Sequence, residues 1–200
     1  MQELKENKIM ITEINIKKSR FICLLQKVTS EKEARDFITA QQQKNASHNC
    51  YAYIIGKNQN IIRKYDDGEP SNTAGKPILD ILLYHQLTNV VCLVIRYFGG
   101  IKLGAGGLIR AYANSVKMNL KNIELIPYLE TKIIIIKFPI NKIKIVDDYL
   151  NYHHQNLNIK KDFDKIITYT FHLAINEISP LIEWTKNNTI KLIISEHKDN

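Results

Sequence analysis

The segment Arg96–Arg110, RYFGGIKLGAGGLIR, holds five of the 8 glycines in the chain, at positions 99, 100, 104, 106 and 107. Glycine loses more conformational freedom on folding than any other residue, so a cluster needs a backbone reason. A glycine loop running from a strand into a helix supplies one. The first N–H groups of the helix have no intrahelical acceptor, and a backbone bare of side chains can close around an anion. Arg96, Lys102 and Arg110 flank the loop, and Val90–Ile123 carries five basic residues and no acid. In the following helix Arg110, Asn114, Lys117 and Lys121 are spaced by 4, 3 and 4. At about 100° per residue they fall within roughly a 60° arc. Ile109, Tyr112, Val116 and Leu120 are expected on the opposite, core-facing side.

The predicted phosphate- or nucleic-acid-binding set is therefore Arg96, Gly99, Gly100, Lys102, Gly104, Gly106, Gly107, Arg110, Asn114, Lys117 and Lys121. Such a stripe can track a phosphate backbone, each contact releasing counterions. A plainer reading stays open: solvated helix faces are polar, and Lys and Arg near a helix C-terminus favour its dipole. The loop fits neither common phosphate fingerprint. Gly99 and Gly104 have the separation of a P-loop, but Ala105 and Gly106 follow where Lys and Ser/Thr are required; the dinucleotide pattern from Gly104 and Gly106 meets Ile109 instead of glycine. No cofactor is predicted.

A second cluster is the loop Asp66-Asp67-Gly68-Glu69-Pro70-Ser71-Asn72. Its acids lack the alternating spacing of a calcium loop. Asp66 or Asp67 is expected to form a turn around Gly68, with Glu69 pairing to Arg96 or Arg110. If this loop and the glycine loop converge, Asp66, Asp67, Glu69, Thr73, Gly75 and Lys76 would line a cleft. That cleft is the alternative site, for an enzyme binding a small phosphorylated molecule or nucleotide. His48 and Cys50 share one side of a strand but lack a second ligand pair for zinc, so no metal is predicted. No catalytic residue is assigned.

These loops need elements to hold them. Strands are predicted at Met10–Asn15 and Arg20–Val28 around Lys17-Lys18-Ser19, and at His48–Gly56 and Ile61–Asp66. Ser30–Gln43 reads as a helix with a capping box from Ser30 to Glu33. Thr73 is expected to cap a helix to Leu87. Asn89–Tyr97, a continuous apolar run, reads as a central strand, and Gly106–Asn122 as the helix after the loop. Beyond a boundary near Glu124–Glu130 follow strand Thr131–Phe138, helix Ile140–Tyr152, strands Gln155–Lys161 and Lys165–Ile175, helix Glu177–Lys186 and strand Thr189–Ser195. Ile140, Ile143, Val146 and Leu150 should share a helix face, and Ile167, Tyr169, Phe171, Leu173 and Ile175 a strand face. The order βαββαβ is the split βαβ of ferredoxin-like domains.

Charge divides at the same boundary. Residues 1–127 carry 18 Lys+Arg against 11 Asp+Glu, a net +7, and all five arginines; residues 128–200 carry 10 against 9, a net +1. The excess points to an anionic partner for the N-terminal part, or simply aids solubility. Cys23, Cys50 and Cys92 sit in apolar runs and read as reduced core thiols. No apolar run reaches about 18 residues, so no membrane span is predicted. The opening MQELKENKIM is polar, which predicts no signal peptide and a cytoplasmic protein.

The motifs DDGEPSNTAGKPIL (Asp66–Leu79) and VVCLVIRYFGGIKLGAGGLIRAY (Val90–Tyr112) resemble the signature of the IMPACT/YigZ family. KKSRF (Lys17–Phe21) and HNCYAY (His48–Tyr53) are similar to its earlier motifs, and the second half is similar to the small domain of the bacterial YigZ branch. The eukaryotic branch has a partner-binding domain at its N-terminus, for which no counterpart is expected here. The resemblance implies an α+β protein of two domains. Residues 1–126 would be of the type shared by a small-subunit ribosomal protein and elongation factor G domain four. Residues 127–200 would be ferredoxin-like, resembling elongation factor G domain five. It also implies a role in translation regulation through RNA or the ribosome; an acidic protein partner is the remaining possibility. A binding module rather than an enzyme is the expectation.

Overall fold

The computed structural model describes residues 1–154 and 157–195. The chain forms two compact units, Met1–Tyr128 and the segment from Leu129 onward. Each is a mixed α/β structure with its own core.

In the first unit the elements run β1 (Gln2–Leu4), β2 (Met10–Ile16), β3 (Ser19–Lys27), α1 (Glu31–Gln41), β4 (His48–Ile55), β5 (Ile61–Tyr65), α2 (Gly75–Tyr84), β6 (Val90–Tyr97), α3 (Ala105–Leu120) and β7 (Leu125–Pro127). Five strands form an antiparallel sheet in the order β2-β3-β6-β4-β5. The central strand β6 explains its own composition. Val90, Cys92 and Val94 face the helices α2 and α3 in one core, while Val91, Leu93 and Ile95 face α1 in another. A strand covered on both faces needs apolar residues at every position. Short β1 and β7 pair with each other, an addition that three-residue strands cannot announce in sequence.

Local chemistry departs from expectation at two helix starts. Ser30 Oγ does accept the Glu33 N–H at 3.2 Å, but Glu33 reaches back to the N–H of Thr29, not of Ser30, at 2.7 Å. Thr73 does not cap α2. Its hydroxyl donates to the Pro70 carbonyl at 2.6 Å, and Asp66 Oδ1 takes the N–H groups of Ala74 and Gly75 at 3.0 and 2.8 Å. A carboxylate satisfies two orphan donors and also complements the helix dipole, which a hydroxyl does less well.

The second unit runs β8 (Thr131–Phe138), α4 (Ile143–His153, after a 3₁₀ turn at Ile140–Lys142), β9 (Lys160–Asp162), β10 (Ile167–Ala174), α5 (Ile175–Asn187) and β11 (Lys191–Ser195). Its antiparallel sheet has the order β11-β8-β10-β9, the split βαβ arrangement. Ile167, Tyr169, Phe171 and Leu173 are buried as their alternation requires. Ile175 is not: it is 40% exposed because the strand has ended and α5 begins there. Ile140 is likewise 72% exposed, since it lies in the 3₁₀ turn rather than on the apolar face of α4. Of the strand expected at Gln155–Lys161, positions 155 and 156 lie outside the described residues.

Candidate functional site

Four segments distant in sequence meet at one end of the five-stranded sheet. Alternation along β6 carries Arg96 onto the same side as Val94, under α3. Arg96 is 4% exposed, and its Nη1 donates to Glu69 Oε1 at 2.5 Å. Tyr112 on α3 donates its hydroxyl to the same oxygen at 2.8 Å. Phe21 packs edge-on against Tyr112, and the Arg96 guanidinium lies 5.4 Å from the Phe21 ring and 5.5 Å from the Phe98 ring. So Glu69 selects Arg96, not Arg110. Arg96, expected both among the phosphate contacts and as a candidate partner of Glu69, is the buried partner of the acidic loop, because strand parity turns it inward.

The acidic loop is pinned from several directions. Asp67 and Gly68 take left-handed backbone angles, φ +42° and +80°, and the Glu69 N–H closes the turn on the Asp66 carbonyl at 2.9 Å. The Asn49 N–H donates to Asp67 Oδ2 at 2.5 Å. His48 Nδ1 meets the Asp67 carbonyl at 2.8 Å, which requires the proton on Nδ1. That leaves Nε2 turned the other way, 3.8 Å from Glu69 Oε2. The Cys50 thiol donates to the Asp66 carbonyl at 3.0 Å and lies 3.4 Å from the Tyr112 hydroxyl. Burial pushes the Cys50 thiol well above its ordinary value, and burial and the nearby Cys50 push Tyr112 up likewise. Neither is an available nucleophile or base near neutrality.

The glycine loop divides into a packed half and an open half. A Cβ on Gly99 would sit 1.9 Å from the Lys18 carbonyl oxygen, so this glycine serves the approach of the Lys17–Lys18 hairpin turn, not of a ligand. Ser19 Oγ accepts the Gly99 N–H at 3.2 Å and Ser47 Oγ that of Phe98 at 3.0 Å. Gly100 and Gly104 take positive φ, and a Cβ at either would meet nothing within 4 Å. Gly104 precedes α3 without a capping side chain. Among the described residues no hydrogen bond satisfies the N–H groups of Ala105, Gly106 or Gly107.

Between the two loops lies a cleft of about 560 Å³. Of the six residues predicted to line it, only Glu69 does. Asp66 and Asp67 are engaged by backbone N–H groups, and Thr73 by Pro70. Gly75 packs against the Tyr65 backbone, where a Cβ would come within 2.7 Å. Lys76 pairs with Asp80 along α2. The cleft is lined instead by His48, which the sequence offered only as an incomplete zinc pair with Cys50, and by Arg96, Phe98, Lys102 and the start of α3.

Arg110, Asn114, Lys117 and Lys121 are all exposed, and Tyr112, Val116 and Leu120 are buried beneath them. Ile109 departs from its predicted side and is 43% exposed. Among the described residues none of Lys102, Arg110, Lys117 and Lys121 has an acidic partner. The sequence reading missed Lys17 and Lys18. Both are exposed, both have left-handed backbone angles, and Lys17 shares a small hollow with Arg110 and Asn114. The KKSRF motif was the available signal.

Residues 17–120 match the model of the Impact N-terminal domain. The chain belongs to the IMPACT family. The IMPACT family member YvyE of Bacillus subtilis (strain 168) is 54% identical over 116 residues, 57% of this chain and 54% of that protein. YigZ of Escherichia coli (strain K12) is 38% identical over 112 residues, 54% of this chain and 55% of its own length. The chain therefore aligns with little more than half of each of these IMPACT relatives. A crystal structure of a hypothetical protein superposes with a TM-score of 0.67 at 24% identity, covering 98% of both chains, which fixes the fold in common. The family motifs correspond to the buried junction: Ser19 holds Gly99, Phe21 packs on Tyr112, His48 and Cys50 hold the acidic loop, and Glu69 joins it to Arg96.

Proposed function

We propose that this IMPACT-family protein is a regulator in translation control that binds structured RNA, free or in the ribosome, through the glycine loop and the outer face of α3. The observation that carries the reading is the row Arg110, Asn114, Lys117 and Lys121. It is exposed, continuous with the uncapped start of α3, and free of acidic partners among the described residues. Lys17, Lys18 and Lys102 extend it around the loop. A surface of this kind contacts phosphates and fixes position without reading bases, so weak sequence specificity is expected. The family association with translation supports the same reading. The same proposal includes the finer assignment of the first unit to the ribosomal-protein and elongation-factor-G-domain-four type, and of the second to the domain-five type.

The test is binding to a structured RNA across a salt series. Affinity should fall steeply with salt, and Arg110→Ala with Lys117→Ala should flatten the log–log slope by about 1–2. Affinity indifferent to ionic strength would remove the basis of the proposal.

A further inference from the structure

The cleft beside the glycine loop has furnishings that a helix-face contact with RNA does not use. Its volume of about 560 Å³ lies inside the roughly 300–1,000 Å³ span of small-ligand pockets. One wall is the start of the 16-residue helix α3, which has no capping side chain; Gly104, Ala105 and Leu108 line the cleft there, and the Ala105 N–H has no acceptor among the described residues. The opposite wall holds Arg96, which is 4% exposed yet uses only Nη1 for Glu69; its buried Nε has no partner. Lys102 stands at the rim, exposed and unpaired among the described residues. Glu69, the one acid in the lining, is already neutralised by Arg96.

The remaining lining suits a nucleoside. Phe98 is 48% exposed on the cleft, a ring available for stacking. His48 is fixed by its Nδ1–H on the Asp67 carbonyl, so its Nε2 is a positioned polar atom for a hydroxyl. Leu103, Leu108 and Pro70 supply apolar surface. We infer that this cleft is a pocket for a 5′-phosphorylated nucleoside, with its phosphate on the start of α3 and Lys102 and its base on Phe98. The inference deepens the RNA-binding reading by naming what the cleft itself takes.

The ligand chemistry has two sources, a free mononucleotide or the 5′ end of an RNA, and one set of titrations separates them. Adenosine 5′-monophosphate should bind the full chain at least tenfold more tightly than adenosine or inorganic phosphate. Phe98→Ala, at a half-exposed position whose ring contact is with Arg96, should weaken it about tenfold through lost stacking, and Lys102→Ala by a similar factor. A short oligonucleotide with a 5′-phosphate that outcompetes both the mononucleotide and its 5′-hydroxyl counterpart identifies a chain end; a mononucleotide that binds as tightly identifies the free molecule. The pocket is overturned if the mononucleotide binds no better than phosphate, or if Phe98→Ala, shown folded by circular dichroism, leaves its affinity unchanged. Salt-sensitive RNA binding that persists after either failure keeps the α3 face and discards the pocket. Mononucleotide binding without RNA binding does the reverse.

Discussion

Replacing Glu69 by alanine should be the most damaging single change at the buried junction. The side chains of Arg96 and Glu69 are 5% and 3% exposed. Removing the acid leaves a guanidinium out of water with no counter-charge and takes away the acceptor of the Tyr112 hydroxyl. Breaking a buried pair from one side costs about 3–5 kcal/mol, because the remaining charge keeps its desolvation penalty without its attraction. His48 lies 3.8 Å from Glu69 and cannot substitute, being itself a cation when protonated. Urea unfolding followed by far-ultraviolet circular dichroism measures the loss, while fluorescence of Trp184, the sole tryptophan, reports separately on the second unit. The double change Glu69→Leu with Arg96→Met removes both charges. It should come within about 1–3 kcal/mol of wild type, the remaining cost being a Tyr112 hydroxyl left without its acceptor. A cost below about 1 kcal/mol for Glu69→Ala alone would show that water reaches Arg96, and the account of the junction would fail.

Three other outcomes are expected. Gly99→Ala forces a methyl group into the Lys18 carbonyl and should destabilise by more than about 1–3 kcal/mol, the usual range for overpacking, read as a lowered urea midpoint. Gly106→Ala meets only the Arg110 side chain, at 3.6 Å, and should stabilise α3 by about 0.5–1 kcal/mol; a loss of stability would contradict the open first turn. Folding stability should decline as pH rises above about 9. Cys50, with an ordinary value of 9.0, is held as the thiol by burial, so the unfolded chain releases its proton first and gains from each further rise. Tyr112 adds to the decline above its ordinary 10.0. Each group contributes at most about 1.4 kcal/mol per pH unit, and Cys50→Ala should flatten the decline between pH 9 and 10; an unchanged slope would refute the assignment.

What sequence could reveal follows from what each element depends on. Strand β6 was legible because burial on two faces writes itself as an unbroken apolar run. The face of β10 was legible because alternation has only one solution. The outer row of α3 followed from helical spacing, but Ile109 did not, since the width of an apolar face depends on how deeply the helix beds into the sheet. The junction was half legible. An acid in a turn invites a basic partner, yet the choice of Arg96 over Arg110 needs the parity of β6 relative to α3. Gly99 and Gly75 carried the same letter as Gly100 and Gly104, and only the neighbouring backbone tells an internal contact from an open one. The place of His48 in the cleft depends on pairing between β4 and β6, which no local pattern encodes.

The contact of Gly99 with the Lys18 carbonyl has a mechanical consequence. It ties the exit of the central strand to a hairpin some eighty positions earlier in the chain, while a side chain at Gly104, on the far side of the loop, would meet open space. Room beside the backbone is thereby confined to Gly100 and Gly104, since Leu103 between them packs on the core.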